Sequence, residues 1–197
     1  MTASPAARRH LEAPNHDFWV FAYGSLMWSP EFPYLAGVPA RVLGYHRALC
    51  IYSTHYRGTA ERPGLVLGLD RGGSCLGRAY KVAACDGPQA AATLDRREML
   101  GGVYDPRWVP IRFEDGRRDR AYAYVVNRDN PAYAGRLDPD ATIALVLQGI
   151  GERGSCLDYL ANTVSHMDQL GIADSALHDL LELVQHRLAA TSPESGG

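Results

Sequence analysis

The chain has 197 residues, enough for one domain whose core needs no disulfide or metal to hold it. Its 46% hydrophobic content excludes wholesale disorder, and 20 basic against 22 acidic residues, net −2, leave no basic face for nucleic acid or an anionic membrane. No apolar run approaches the ~20 residues that span a bilayer, and Met1 to His10 carries an arginine pair without the apolar stretch of an export signal.

In chain order, residues 1–16 hold Pro, Ala, Arg and His without periodicity and are expected to form a flexible tail. A single domain is expected over 17–190, followed by a second flexible tail at 191–197. Phe18-Trp19-Val20-Phe21-Ala22-Tyr23 is aromatic and β-branched and stops at Gly24-Ser25, which predicts a strand. Arg41 to Tyr52 predicts another. Gly64 to Asp70 and Ser74 to Val82 flank Arg71-Gly72-Gly73 and predict a short hairpin. Gly87 as cap, Pro88 at the first helical position and good helix formers from Gln89 to Leu100 predict a helix that Gly101-Gly102 ends. Val103 to Phe113 and Arg120 to Asn127 flank the turn Glu114-Asp115-Gly116. The last third is helical. Asp138-Pro139 opens one helix, Ser155 with Asp158 resembles a capping box for the next, and Leu177, Leu180, Leu181, Val184 and Leu188 make an apolar stripe on a third. Helices packed on a β-rich core define an α+β protein.

Three constellations have chemical meaning. Tyr23-Gly24-Ser25-Leu26 follows a bulky strand, and a turn there can aim successive N–H groups at a carboxylate or an oxyanion. The same four residues also make an ordinary turn, and Ser25 lacks the second glycine of a nucleophile elbow. In Arg96-Arg97-Glu98-Met99-Leu100-Gly101-Gly102, Glu98 falls in the last turn of a helix, at the negative end of the macrodipole. There its charged form is disfavoured, and burial would add to the effect, which suits a proton carrier. The competing reading is a surface glutamate paired with Arg96 or Arg97. Arg57, beside Gly58, either presents its planar fork to a carboxylate or is solvated. Tyr159 either binds a ligand through its hydroxyl or is a satisfied buried tyrosine.

Cys50, Cys75, Cys85 and Cys156 show no close pairing and read as reduced thiols, which points to the cytoplasm. No histidine pairs with cysteine or another histidine at a metal-ligand spacing, and no phosphate-binding glycine motif is present, so neither metal nor cofactor is expected.

Taken together, Phe18 to Trp28, Gly58-Thr59-Ala60, Arg97-Glu98-Met99 with Gly102, Tyr104, Pro106 and Trp108, Asn130-Pro131 and Leu157-Asp158-Tyr159-Leu160 resemble the ChaC-type γ-glutamylcyclotransferases, bacterial branch, over roughly residues 17–188. The resemblance implies a small mixed β-barrel with surrounding helices. It implies a lyase that cleaves glutathione, a small-molecule substrate, to 5-oxoproline and Cys-Gly. Carried onto this sequence, it makes Glu98 the catalytic acid/base. It makes Ala22, Tyr23, Gly24, Ser25, Leu26 and Met27 the stretch that binds the γ-glutamyl group, with Tyr159 a further substrate contact. Ala22 stands where the family usually has glycine. The chemistry needs little apparatus. The substrate's own α-amine attacks the γ-carbonyl, and one carboxylate can take the amine proton and return it to the departing nitrogen. Two alternatives remain at this stage: a cyclotransferase for other γ-glutamyl amines or amino acids, and a non-catalytic γ-glutamyl-binding protein. The oligomeric state is not legible.

Overall fold

The computed structural model describes residues 13–98 and 100–191; of the tails expected at 1–16 and 191–197, residues 1–12 and 192–197 lie outside the described residues, while Thr191 ends the last helix. Five strands close into a barrel in the order β1-β3-β2-β4-β5. They are β1 (Phe18–Ala22), β2 (Ala36–Ser53), β3 (Gly64–Val82), β4 (Tyr104–Phe113) and β5 (Arg118–Val126). β1 runs antiparallel to β3, with Phe18 opposite Val82 and Ala22 opposite Arg78, and parallel to β5, with Trp19 opposite Ala121. That parallel pairing closes the sheet and removes its free edges.

The helices are α1 (Gly87–Glu98), between β3 and β4, then α2 (Pro139–Gln148), α3 (Cys156–Gln169) and α4 (Ser175–Thr191). A two-stranded ribbon of β6 (Ile150–Gly151) and β7 (Gly154–Ser155) joins α2 to α3. The described residues sort into two compact units. One runs up to Ala48 and resumes over Gly68–Tyr133; the other takes Leu49–Leu67 and the chain from Ala134.

In the first unit the residue pattern explains the barrel. β4 alternates, with Val109, Ile111 and Phe113 buried and Pro110 and Arg112 exposed, the period-two signature of a strand with one face inward. β5 is buried from Ala121 through Val126, as expected of a strand covered on both faces. The turn expected at Glu114-Asp115-Gly116 is present, with Gly116 N–H donating to Phe113 O at 3.1 Å.

The hairpin expected around Arg71-Gly72-Gly73 is not formed. Gly64 to Val82 is one 19-residue strand, and the reversal falls earlier, between Ser53 and Gly64. Gly72 and Gly73 have φ of +99° and +68°, a conformation costly for residues with a Cβ, and here it bends the strand without reversing it. His46 on neighbouring β2 meets the Gly72 carbonyl through Nδ1 at 3.0 Å.

In the second unit the predicted caps hold. Asp138 accepts from Ala141 N–H at 2.9 Å at the start of α2, with Pro139 next to it. Ser155 accepts from Asp158 N–H at 2.9 Å at the start of α3. Of the α4 stripe, Leu177 and Val184 are buried, while Leu188 is 44% exposed. All four cysteines are free thiols, Cys50, Cys75 and Cys156 buried and Cys85 exposed. No helix among the described residues is long and apolar enough to cross a membrane.

Candidate active site

The first half of the site hangs from the end of β1. The strand delivers Ala22, wholly buried, and Tyr23, nearly so, to Gly24. A single 3-10 turn then spans Ser25–Met27, closed by Met27 N–H to Gly24 O at 2.8 Å and extended by Ser29 N–H to Ser25 O at 3.0 Å. Leu26 and Met27 point into the core and anchor the turn, while Gly24 and Ser25 stay partly accessible. A turn of this kind leaves its first N–H groups, those of Ser25 and Leu26, outside its own hydrogen-bond pattern.

Beneath the turn lies Arg47 of β2, only 6% exposed. Its Nε donates to Tyr23 O at 2.5 Å and its Nη2 to Leu76 O at 2.7 Å, with Met27 Sδ at 3.8 Å. The Tyr80 hydroxyl donates to Met27 O at 2.5 Å. A buried cation and a buried phenol thus each place a donor on a carbonyl at one end of this stretch, Tyr23 O and Met27 O, and Arg47 also ties it to Leu76 of β3.

The second half is the C-terminal end of α1. Ala90 and Leu94 face inward, and Asp95 accepts from the Tyr124 hydroxyl at 2.5 Å, which pins the helix to β5. Burial raises both β5 tyrosines, Tyr122 to about 12. The helix ends at Glu98, two residues before the expected Leu100, which opens a separate 3-10 turn over Leu100–Gly102. Gly101 and Gly102 have φ of +72° and +68°, the left-handed backbone that stops a helix. Their carbonyls accept from Asn130 Nδ2 at 2.9 Å and Asn127 Nδ2 at 3.2 Å, so the chain leaves the helix in a held conformation.

Arg97 joins the two halves. Its Nη2 donates to Ser25 Oγ at 2.6 Å, its Nη1 to Ser29 O at 3.1 Å, and its Nε lies 3.2 Å from Glu98 Oε1. The carboxylate of Glu31 takes Nη1 from the outside at 3.0 Å. Residues 72 positions apart in the chain are thereby set in one frame. The Glu98 side chain is 16% exposed. Its burial pushes the carboxyl up from its ordinary range; Arg97 opposes the rise and Glu31 adds to it. The surface ion pair that the sequence left open as an alternative is therefore half right, since Glu98 does pair with Arg97 but away from bulk water. A carboxyl in this setting holds a proton to higher pH than an exposed glutamate does, which suits it to take a proton and return it.

Arg57 and Tyr159 belong to the second unit and meet each other there, the guanidinium lying 5.2 Å from the ring centroid. Arg57 Nη1 donates to Arg153 O and, at 3.4 Å, to Ser155 O, tying its loop to the β6–β7 ribbon. Leu67 N–H donates to the Tyr159 hydroxyl at 3.3 Å. A surface cavity of about 490 Å³ lined by Phe18, Trp19, Trp108 and Arg120 includes none of the residues named for the site.

Sequence reasoning passed over Arg47, Asp95 and Glu31. Arg47 carried a signal, a cation within the apolar run from Tyr45 to Tyr52. Asp95 lies three residues before Glu98 on the same helix, a spacing that puts both carboxyls on one face. Glu31 had no local signal.

The model of the family described as ChaC-like protein matches residues 18–187. A glutathione-specific γ-glutamylcyclotransferase of Escherichia coli is 33% identical over 192 residues, covering 98% of this chain and 83% of that protein. The human glutathione-specific γ-glutamylcyclotransferase 1 is 34% identical over 157 residues, covering 78% of this chain and 71% of that one. Among solved structures, a yeast γ-glutamylcyclotransferase specific to glutathione superposes with a TM-score of 0.77 at 23% identity, over 87% of this chain and 96% of the yeast chain. That superposition bears out the α+β barrel with surrounding helices. With a family match running from β1 into α4, the chain belongs to the ChaC-like family.

Proposed function

We propose that this protein is a glutathione-specific γ-glutamylcyclotransferase, a lyase that converts glutathione to 5-oxoproline and Cys-Gly with Glu98 as its acid/base. The observation that carries the reading is the Glu98 carboxyl itself: buried, shifted toward its protonated form, and linked through Arg97 to the Ser25 turn. The names of the relatives supply the substrate.

The steps follow from these groups. The γ-glutamyl part of glutathione folds so that its α-amine reaches its own γ-carbonyl, and the turn from Gly24 to Leu26 holds it in that shape. Glu98, ionised, accepts a proton from the amine as the new C–N bond forms. The oxygen of the tetrahedral intermediate takes hydrogen bonds from the N–H groups of Ser25 and Leu26. Glu98 then returns the proton to the cysteinyl nitrogen, which leaves as the amine of Cys-Gly. One proton crosses from one nitrogen to the other, and the carboxylate is regenerated. Ala22 and Met27 expose almost no side-chain surface, so they act through their backbone and by supporting the turn. A substrate role for Tyr159 stands on the family resemblance alone, and one for Arg57 only on its planar fork beside Gly58. A cytoplasmic setting is inferred with the substrate, which is an intracellular thiol.

Incubation of the pure protein with glutathione is expected to yield 5-oxoproline and Cys-Gly in equal amounts, both followed by mass spectrometry. Across a panel of γ-glutamyl amino acids and amines, glutathione should have the highest kcat/KM. Release of 5-oxoproline from another γ-glutamyl amine but not from glutathione would reassign the substrate. Binding of glutathione without product would remove the enzymatic reading.

A further inference from the structure

The chemistry above requires the turn after β1 and the end of α1 to keep one geometry, although neither touches the other in sequence. We propose that Glu31 is a positioning residue for this site: its carboxylate anchors one edge of the Arg97 guanidinium, so that the other edges stay on Ser25 and Glu98. The proposal rests on the cyclotransferase reading of Glu98.

Two independent observations carry it. The first is the fork itself. Glu31 Oε1 sits 3.0 Å from Arg97 Nη1, while Nη2 and Nε of the same plane reach Ser25 Oγ at 2.6 Å and Glu98 Oε1 at 3.2 Å. The guanidinium is rigid and planar, so holding one nitrogen aims the other two. The second is the backbone. Glu31 has φ of +58°, and it is the one residue other than glycine with a positive φ among the described residues. A residue that carries a Cβ is uncommon in this conformation unless its surroundings require it, and such positions gather at functional sites. Ser29 Oγ donates to Glu31 Oε1 at 3.3 Å, which turns the carboxylate toward Arg97.

The charged groups around Glu98 are few. Arg97 and Glu31 act on it directly. On α1, Asp95 is engaged by the β5 tyrosines and Arg96 by Thr93. On β2, Arg47 is turned to the carbonyls of Tyr23 and Leu76. Glu31 is therefore the group that shares the Arg97 charge with Glu98. Removing it leaves that charge to Glu98 alone, so the catalytic carboxyl ionises at lower pH.

The test compares wild type with Glu31→Ala, Glu31→Gly and Glu31→Gln, by kcat and KM for glutathione across pH and by carboxyl NMR titration of the glutamates. The Glu98 resonance is identified by its loss in Glu98→Gln. Alanine and glycine should lower kcat by about 10–100-fold, the scale of a slightly misplaced catalytic group. Glutamine keeps an acceptor for Nη1 and should recover part of that loss. Glycine adopts φ of +58° without strain, so Glu31→Gly should melt no lower than wild type, which separates the catalytic loss from misfolding. In every variant the Glu98 titration should move to lower pH. Wild-type kcat in Glu31→Gly, or an unmoved Glu98 titration in Glu31→Gln, overturns the proposal. If wild type does not turn over glutathione, the cyclotransferase reading fails, while the NMR titration still decides whether Glu31 and Glu98 are coupled through Arg97.

Discussion

Replacing Glu98 by glutamine is expected to lower kcat by about 10²–10⁴-fold, the range that general acid–base groups supply, and to leave KM for glutathione nearly unchanged. Glutamine keeps the size and one acceptor for Arg97 but can neither take the amine proton nor return it. The stability effect has the opposite sign. The folded pKa of Glu98 lies above its unfolded value of 4.5 because the charged form is desolvated. The wild-type protein therefore carries a cost above the folded pKa. It regains that stability as pH falls through the folded pKa, and the gain is complete below 4.5. Glutamine never carries the cost. Its Tm should exceed that of wild type at pH 8, and the two should converge in acid. A variant that keeps about a tenth of the wild-type rate would strip Glu98 of the role. A Tm deficit at pH 8 would mean that the pairing with Arg97 outweighs desolvation.

The second large effect is expected at Arg47, beneath the turn that follows β1. Changing it to methionine keeps an unbranched side chain in the core but deletes the donors to Tyr23 O and Leu76 O. Two buried carbonyls lose a charged partner, and such losses run to about 2–4 kcal/mol in total. For a chain of this size that corresponds to a Tm about 4–16 °C lower. KM should rise as well if the turn after Tyr23 binds substrate as proposed, because Tyr23 O is where Arg47 fastens it. Lysine at the same position reaches one carbonyl and should fall between the two. Thermal melts and steady-state kinetics read both effects, and a methionine variant that melts with wild type would show that other donors or water replace the guanidinium.

These two sites also mark how far the sequence could be read. Glu98 was legible because its helix is punctuated at both ends, by Pro88 at the start and Gly101-Gly102 at the finish, so its place in the last turn followed from local rules. β1 was legible for the same reason: its run of aromatic and β-branched residues stops at Gly24. Gly72-Gly73 misled because a turn and a bend within a strand use the same residues. What distinguishes them is the partner strand, and His46 lies 26 residues away. The clamp around Arg97 was illegible on similar grounds. Ser25 and Glu31 reach it across dozens of residues, and nothing in Arg96-Arg97 tells which arginine turns inward. Arg47 stood out as a cation in an apolar strand, but its acceptors are main-chain atoms, which carry no residue signature.

The parallel pairing of Trp19 and Val20 with Ala121 and Tyr122 has a consequence for folding. The strand that leads into the turn of the proposed site has one of its two neighbours about a hundred residues further along the chain, so its capture is slow to complete. Until β5 is in place the barrel stays open and the turn lacks that support. A fragment ending before Arg118 should accordingly release no 5-oxoproline from glutathione, and turnover by it would show that the last staves of the barrel are dispensable. The proposed activity thus waits on closure of the barrel by β5.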